Sequence, residues 1–219
     1  MSRLGMTLFA CCARVTSSLR SATSLARAPR IGTARYASAQ RVGTVLIRNT
    51  QRSIPIDVDA VESVTRALLE RLRCSEFDVG IWLTTDATIR KYNTQFRGMR
   101  KSTDILSFPF HDELAPGALP EAVDRDDEDD LNLGDMVVSV PYVRRRAEKD
   151  GGRDHAPGRG VAAAMAPVAD VEERIHMLLV HGLCHLLNYD HETEDEFEDM
   201  VALEDELLAT YRDWRQRRR

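Results

Sequence analysis

The stretch HGLCHLLNYDH places His181, His185 and His191 within eleven residues, although the whole chain holds only six histidines. Positions i and i+4 share one helical face, so His181 and His185 can grip one ion from the same side if Val171 to Leu187 is helical. Asp170 suits the cap of that helix and Glu173 its first turn. Ile175, Leu178, Leu179, Gly182 and Leu186 are its core-facing candidates. Asn188 is the next best residue after glycine at the left-handed position that ends a helix. A sharp stop there turns the chain and returns His191 as a third ligand. Three neutral nitrogen donors with an open fourth position make a catalytic zinc site, whereas structural sites are closed. Nickel and copper also bind such a set. The competing reading is a polar helix end without metal.

The ligand spacing equals the protease pattern H-E-x-x-H-x-x-G-x-x-H, in which the Glu is the general base. Here that position is Gly182, which cannot move a proton. The metal spacing of a peptidase is present without its base.

Charge is unevenly spread. Residues 1–56 contain nine arginines and no acid, leaving 21 basic and 35 acidic residues, a net charge of −14, in 57–219. RNA binding by such a domain needs a local basic patch. Residues 1–40, rich in Arg, Ser and Ala, read as a mitochondrial transit peptide with cleavage near Arg35-Tyr36, which implies the matrix. A basic tail that binds nucleic acid is the alternative. The apolar run Leu4–Cys12 is too short to span a membrane. Cys11 and Cys12 would leave with the presequence, and Cys74 and Cys184 offer neither a disulfide framework nor a zinc knuckle. A reducing compartment fits that usage.

The remaining pattern predicts an α+β domain over 41–213: a small mixed sheet of about four strands packed with helices, one of them a zincin-like metal helix. Val45–Asn49, Phe77–Thr85, Asp104–Phe110 and Gly134–Val140 read as strands, and Pro109 puts the third at an edge or ends it. Asp57–Arg73, Asp86–Phe96 and Pro141–Lys149 read as helices. Gly151 to Pro167 reads as a flexible insertion. Thr193 with Glu196 forms a capping box for a last helix to about Arg212, and 214–219 is read as a basic tail whose end, Arg217-Arg218-Arg219, is disordered.

Three segments together resemble the YbeY family of metal-dependent rRNA maturation endoribonucleases. HGLCHLLNYDH is similar to its H-G-x-L-H-L-x-G-Y-D-H signature. FRGMRKSTDILSFPF at Phe96–Phe110 resembles its T-D-V-L-S-F-P-F stretch, and LGDMVVS at Leu133–Ser139 its L-G-D-I-x-I-S strand. LIRNTQRSIPI resembles the start of eukaryotic, mitochondrial members. The departures are Asn188 for a glycine and Cys184 for a leucine. Cys184 lies off the ligand face and is expected in the core.

The resemblance implies one zinc ion on His181, His185 and His191, Arg97 as an active-site arginine, and His181 and His185 in catalysis. It implies a single-stranded or ribosomal RNA substrate and a small-subunit ribosomal protein as a further partner. A fixed guanidinium suits a phosphorane-like transition state, because it clamps phosphate oxygens bidentately where a lysine cannot. A surface ion pair is the other reading of Arg97. Asp104 either orients a ligand histidine or starts its strand. Asp190 caps the turn before His191. His111 is a solvated loop residue or approaches the site. Arg100 and Lys101, or Arg144, Arg145 and Arg146, supply the basic patch, although a solvated helix face explains the triplet equally. The competing functions are a metallopeptidase and a non-catalytic, zinc-containing assembly factor.

Overall fold

Alternating strand and helix periods resolve into a four-stranded sheet in the computed structural model, which describes residues 41–218 other than 120, 125, 126, 128, 129 and 151–157. The expected transit peptide and its expected cleavage point lie outside the described residues. The strands are β1 (Val45–Asn49), β2 (Asp78–Thr84), β3 (Ile105–Pro109) and β4 (Asn132–Ser139), in the spatial order β1-β2-β4-β3. β1, β2 and β4 are parallel, and β3 runs antiparallel along the edge beside β4. Pro109 is tolerated because β3 is an edge strand. The mixed sheet confirms the α+β expectation.

The helices are α1 (Val58–Arg71), α2 (Asp86–Arg97), α3 (Val140–Asp150), α4 (Gly160–Met165), α5 (Val171–Leu186) and α6 (Glu194–Arg217). The register aligns Ile81, Met136 and Ser107 on one face of the sheet. α5 packs on that face, where Ile175, Leu179 and Leu183 are fully buried. Each such side chain contributes about 1.5–3 kcal/mol of burial. The opposite face carries a smaller cluster, Leu106 and Val137 under Ile89 of α2, with Trp82, Tyr92 and Phe108 packed around it. No helix among the described residues is long and apolar enough to cross a membrane.

Two expectations are corrected. The segment read as a flexible insertion contains α4, whose Val161 is buried. The last helix runs past Arg212 to Arg217, so the expected basic tail is largely helical. The cause is Trp214, which is buried, donates its indole N–H to Ser63 at 3.0 Å and packs against His176. Burying that ring holds the extra turn in place.

Candidate metal centre

Local sequence builds the end of α5. Asp170 accepts the Glu173 amide at 2.7 Å, as a cap should. At the other end Asn188 has φ 64, the left-handed conformation expected of it. The Tyr189 amide donates back to the Cys184 carbonyl and the Asn188 amide to the His185 carbonyl, the paired bonds of a Schellman stop. The Asn188 side chain adds what a glycine cannot. Its amide nitrogen donates to the carbonyls of His111 (2.7 Å) and Leu114 (3.0 Å), tying the loop after β3 to the metal helix. Thr193 and Glu196 form the expected capping box, so α6 starts just past His191.

The turn brings the three histidines together. One nitrogen from each of His181, His185 and His191 lies within 4.8 Å of the others, the only such group among the described residues. The Nε2 atoms of His181 and His185 are 3.2 Å apart. Each ring is fixed from behind. His185 Nδ1 is 2.9 Å from the Tyr189 carbonyl, which can only accept, so Nδ1 carries the proton. His181 Nδ1 lies 2.7 Å from Glu204 Oε1, and the carboxylate likewise takes an N–H. With the protons on Nδ1, the two Nε2 atoms face each other as the donor atoms a metal would use. Two nitrogens on one tetrahedral zinc sit about 3.3 Å apart, so the donor set fits the metal. Burial, with the neighbouring His181 and His191 rings, pushes His185 down to about 4, which keeps its imidazole neutral as a ligand must be.

Glu204 was not legible as a site residue. It lies on α6 and is buried, and its Oε2 accepts the Val161 amide of α4 at 2.8 Å. The available signal was an acid within the apolar stripe Met200, Val201, Leu207, Leu208 and Tyr211. Gly160, at φ 70, lets the chain pass this carboxylate: a Cβ there would lie 2.3 Å from Glu204 Oε2.

A cleft of about 830 Å³ opens over the histidines and runs along β3. Arg97 lines it, so the fold brings the arginine of α2 and the triad of α5 to one cavity. Gly98, at φ 69, ends α2 directly after Arg97. Ser107 also lines the cleft, with a buried hydroxyl lacking a hydrogen-bond partner. Asp104 lines it but accepts the Thr103 hydroxyl and the Ile105 amide, which is the strand-starting role; the carboxylate that touches a ligand histidine is Glu204. Asp190 caps the His191 amide at 2.8 Å. His111 packs on Phe110 and bonds the Asp130 carbonyl, away from the triad. Arg144, Arg145 and Arg146 pair with Glu148, Asp86 and Asp150; neither they nor Arg100 and Lys101 line the cleft, although the latter two adjoin Arg97 in sequence. Cys184 is fully buried, and that burial pushes its thiol up, as a core residue requires.

Gly182 lies where a peptidase has its base. A Cβ there would be 2.4 Å from Met136 Sδ and 2.8 Å from Ile105 Cδ1. The position faces the sheet, and an acid there would have to push these two side chains aside.

Fold and site define an α+β protein with a three-histidine candidate metal centre. The chain matches the family model described as Endoribonuclease YbeY over residues 46–212, and it belongs to that family. Proteins named Endoribonuclease YbeY are similar to it. One from Persephonella marina is 36% identical over 155 residues, covering 70% of this chain and 83% of its own. One from Homo sapiens is 32% identical over 165 residues, covering 75% and 86%. One from Nocardioides is 34% identical over 159 residues, covering 72% and 91%.

Proposed function

We propose that this chain is a zinc-dependent endoribonuclease that cuts single-stranded regions of small-subunit ribosomal RNA in the mitochondrial matrix, with a small-subunit ribosomal protein as a partner. Family membership supports the endoribonuclease activity. The observation that carries the site assignment is the pair of facing Nε2 atoms, each ring anchored through Nδ1, in one cleft with Arg97. The nine arginines and absent acids of residues 1–56 support a presequence ahead of a nuclease domain at 41–213.

His181, His185 and His191 would hold the metal. Bound there, zinc supplies Lewis-acid polarisation of a phosphoryl oxygen and lowers the pKa of water from about 15.7 toward ~7. Glu204 and the Tyr189 carbonyl keep the protons on Nδ1 and aim Nε2 into the cleft. Arg97 binds the phosphate oxygens on which negative charge builds and holds them bidentately. The lack of an acid at Gly182 opposes peptide hydrolysis.

The test offers metal-loaded protein single-stranded RNA and, in parallel, casein. RNA cleavage abolished by a chelator and by His185→Ala is the expected result. Casein cleavage, or neither activity with ribosomal-protein binding retained, overturns it. N-terminal sequencing of the mature protein tests the compartment, and an intact Met1 retires the presequence.

A further inference from the structure

The two banks of the cleft differ in charge. Residues 86–104, α2 and the loop to β3, contain five basic residues and two acids, Asp86, which pairs with Arg145, and Asp104, which starts β3 at the cleft. Residues 190–199, on the other bank, contain seven acids and no lysine or arginine. Asp190 and Glu196 of that bank line the cleft, as Arg97 does on the first. Residues 57–219 carry a net charge of −14, so of the two banks it is the α2 bank that offers a polyanion attraction.

That bank also carries aromatic rings. Tyr92 and Phe96, one turn apart on α2, stack with centroids 6.1 Å apart, and Phe96 meets Phe108 edge-on at 5.1 Å. Tyr92 and Phe108 belong to the small core under α2, but Phe96 emerges from it, 44% exposed, into the wall of the cleft. Arg97, which lines the cleft, follows it directly, and Arg100 and Lys101, exposed outside the cleft lining, come four and five residues after Phe96; none of the three makes an ion pair with any described residue. An exposed ring beside unpaired cations is the pattern that holds single-stranded nucleic acid, bases on the ring and phosphates on the cations.

We propose that Phe96 is the base-stacking platform of an RNA track whose phosphates run over Arg100 and Lys101, and that the strand is held on one side of the scissile phosphate only. The acidic bank repels it on the other side. The track rests on the endoribonuclease reading for its substrate.

The test uses the metal-loaded full chain and 2′-O-methylated oligonucleotides about 12 nucleotides long, within the site size of single-strand-binding folds. Each carries one 2-aminopurine, and gels verify that it stays intact. A fluorescence change is expected only for probes on one side of the cleavage position. Phe96→Leu, which keeps apolar bulk against Phe108, should weaken binding about tenfold and remove that change, and Phe96→Trp should restore both. Arg100→Gln with Lys101→Gln should lower the slope of log affinity against log salt by about 1.4 and leave the fluorescence change in place. Equal changes on both sides, unchanged binding by Phe96→Leu, or an unchanged salt slope overturns the track. Wild-type protein that cuts RNA while Phe96→Leu binds normally sinks the track alone. Wild-type protein that binds one-sidedly but cuts no RNA sinks the nuclease reading alone. The wild-type probe pattern decides the matter even if Phe96→Leu fails to fold.

Discussion

His181 and His185 lie one turn apart on one helix, yet they are held in different ways. His185 is braced by the Tyr189 carbonyl, four residues on, in the turn that ends its own helix. His181 is braced by Glu204, 23 residues away on α6, which also holds the start of α4. One anchor is written into a short stretch of sequence; the other exists only once three helices have packed. The local anchor is a backbone carbonyl that no substitution removes, so the vulnerable half of the site is the distant one.

The largest expected effect separates binding metal from using it. Arg97→Glu should lower cleavage by about a thousandfold or more, with metal content and melting temperature unchanged, whereas His185→Ala should lose metal and activity together. Metal loss in Arg97→Glu would place the arginine in the fold instead of the reaction.

Glu204→Gln should weaken metal affinity by about 10- to 100-fold, measured by competition with a chromophoric chelator. Glu204→Ala should cost a further 1–3 kcal/mol, roughly, of unfolding free energy by orphaning the Val161 amide. Unchanged affinity in Glu204→Gln would erase the distinction between the two anchors.

A third histidine of α5 sharpens the contrast. His176 is buried against Tyr211 and Trp214, and its Nε2 has no hydrogen-bond partner. Burial lowers it from 6.5 to about 4. The unfolded chain therefore binds a proton that the folded chain refuses, and stability falls as pH drops from 6.5 toward 4. The loss should reach about 2 kcal/mol by pH 5. His176→Leu should remove that share in denaturant titrations, leaving the same-signed contribution of His185 in metal-free protein. An unaltered pH profile would show that His176 is protonated in the folded state.

The smallest effect concerns the local anchor. Asn188→Gly keeps the left-handed backbone but loses the bonds to His111 and Leu114, so it should cost about 1 kcal/mol and leave metal affinity within about threefold. A loss as large as that of Glu204→Gln would make the loop after β3 part of the metal site.

The same division explains what was legible beforehand. Asp170, Thr193, Glu196 and the left-handed backbone of Asn188 act within three to five residues of their own position, and the structure places each as its chemistry required. Pro109 announced an edge strand for a similarly local reason. Asp104 sits beside the site, and only coordinates show its carboxylate spent on the start of β3. Glu204 looks like one acid among many on α6 until the stripe around it is seen to be buried. α4 hid because Gly160 to Met165 is short and rich in alanine, and it is held by contacts with α5 and α6. The end of α6 was misplaced because its last turn depends on Trp214 meeting Ser63 and His176, far away in sequence.

Gly182 also bears on what this scaffold can become. A zinc peptidase differs in the ligand stretch by one acid beside the first histidine, a short mutational step. Here that step would drive a side chain into the ends of Met136 and Ile105, which must move before α5 can keep its seat on the sheet. Packing as well as chemistry therefore burdens that evolutionary route, and smaller residues at Met136 and Ile105 would ease it.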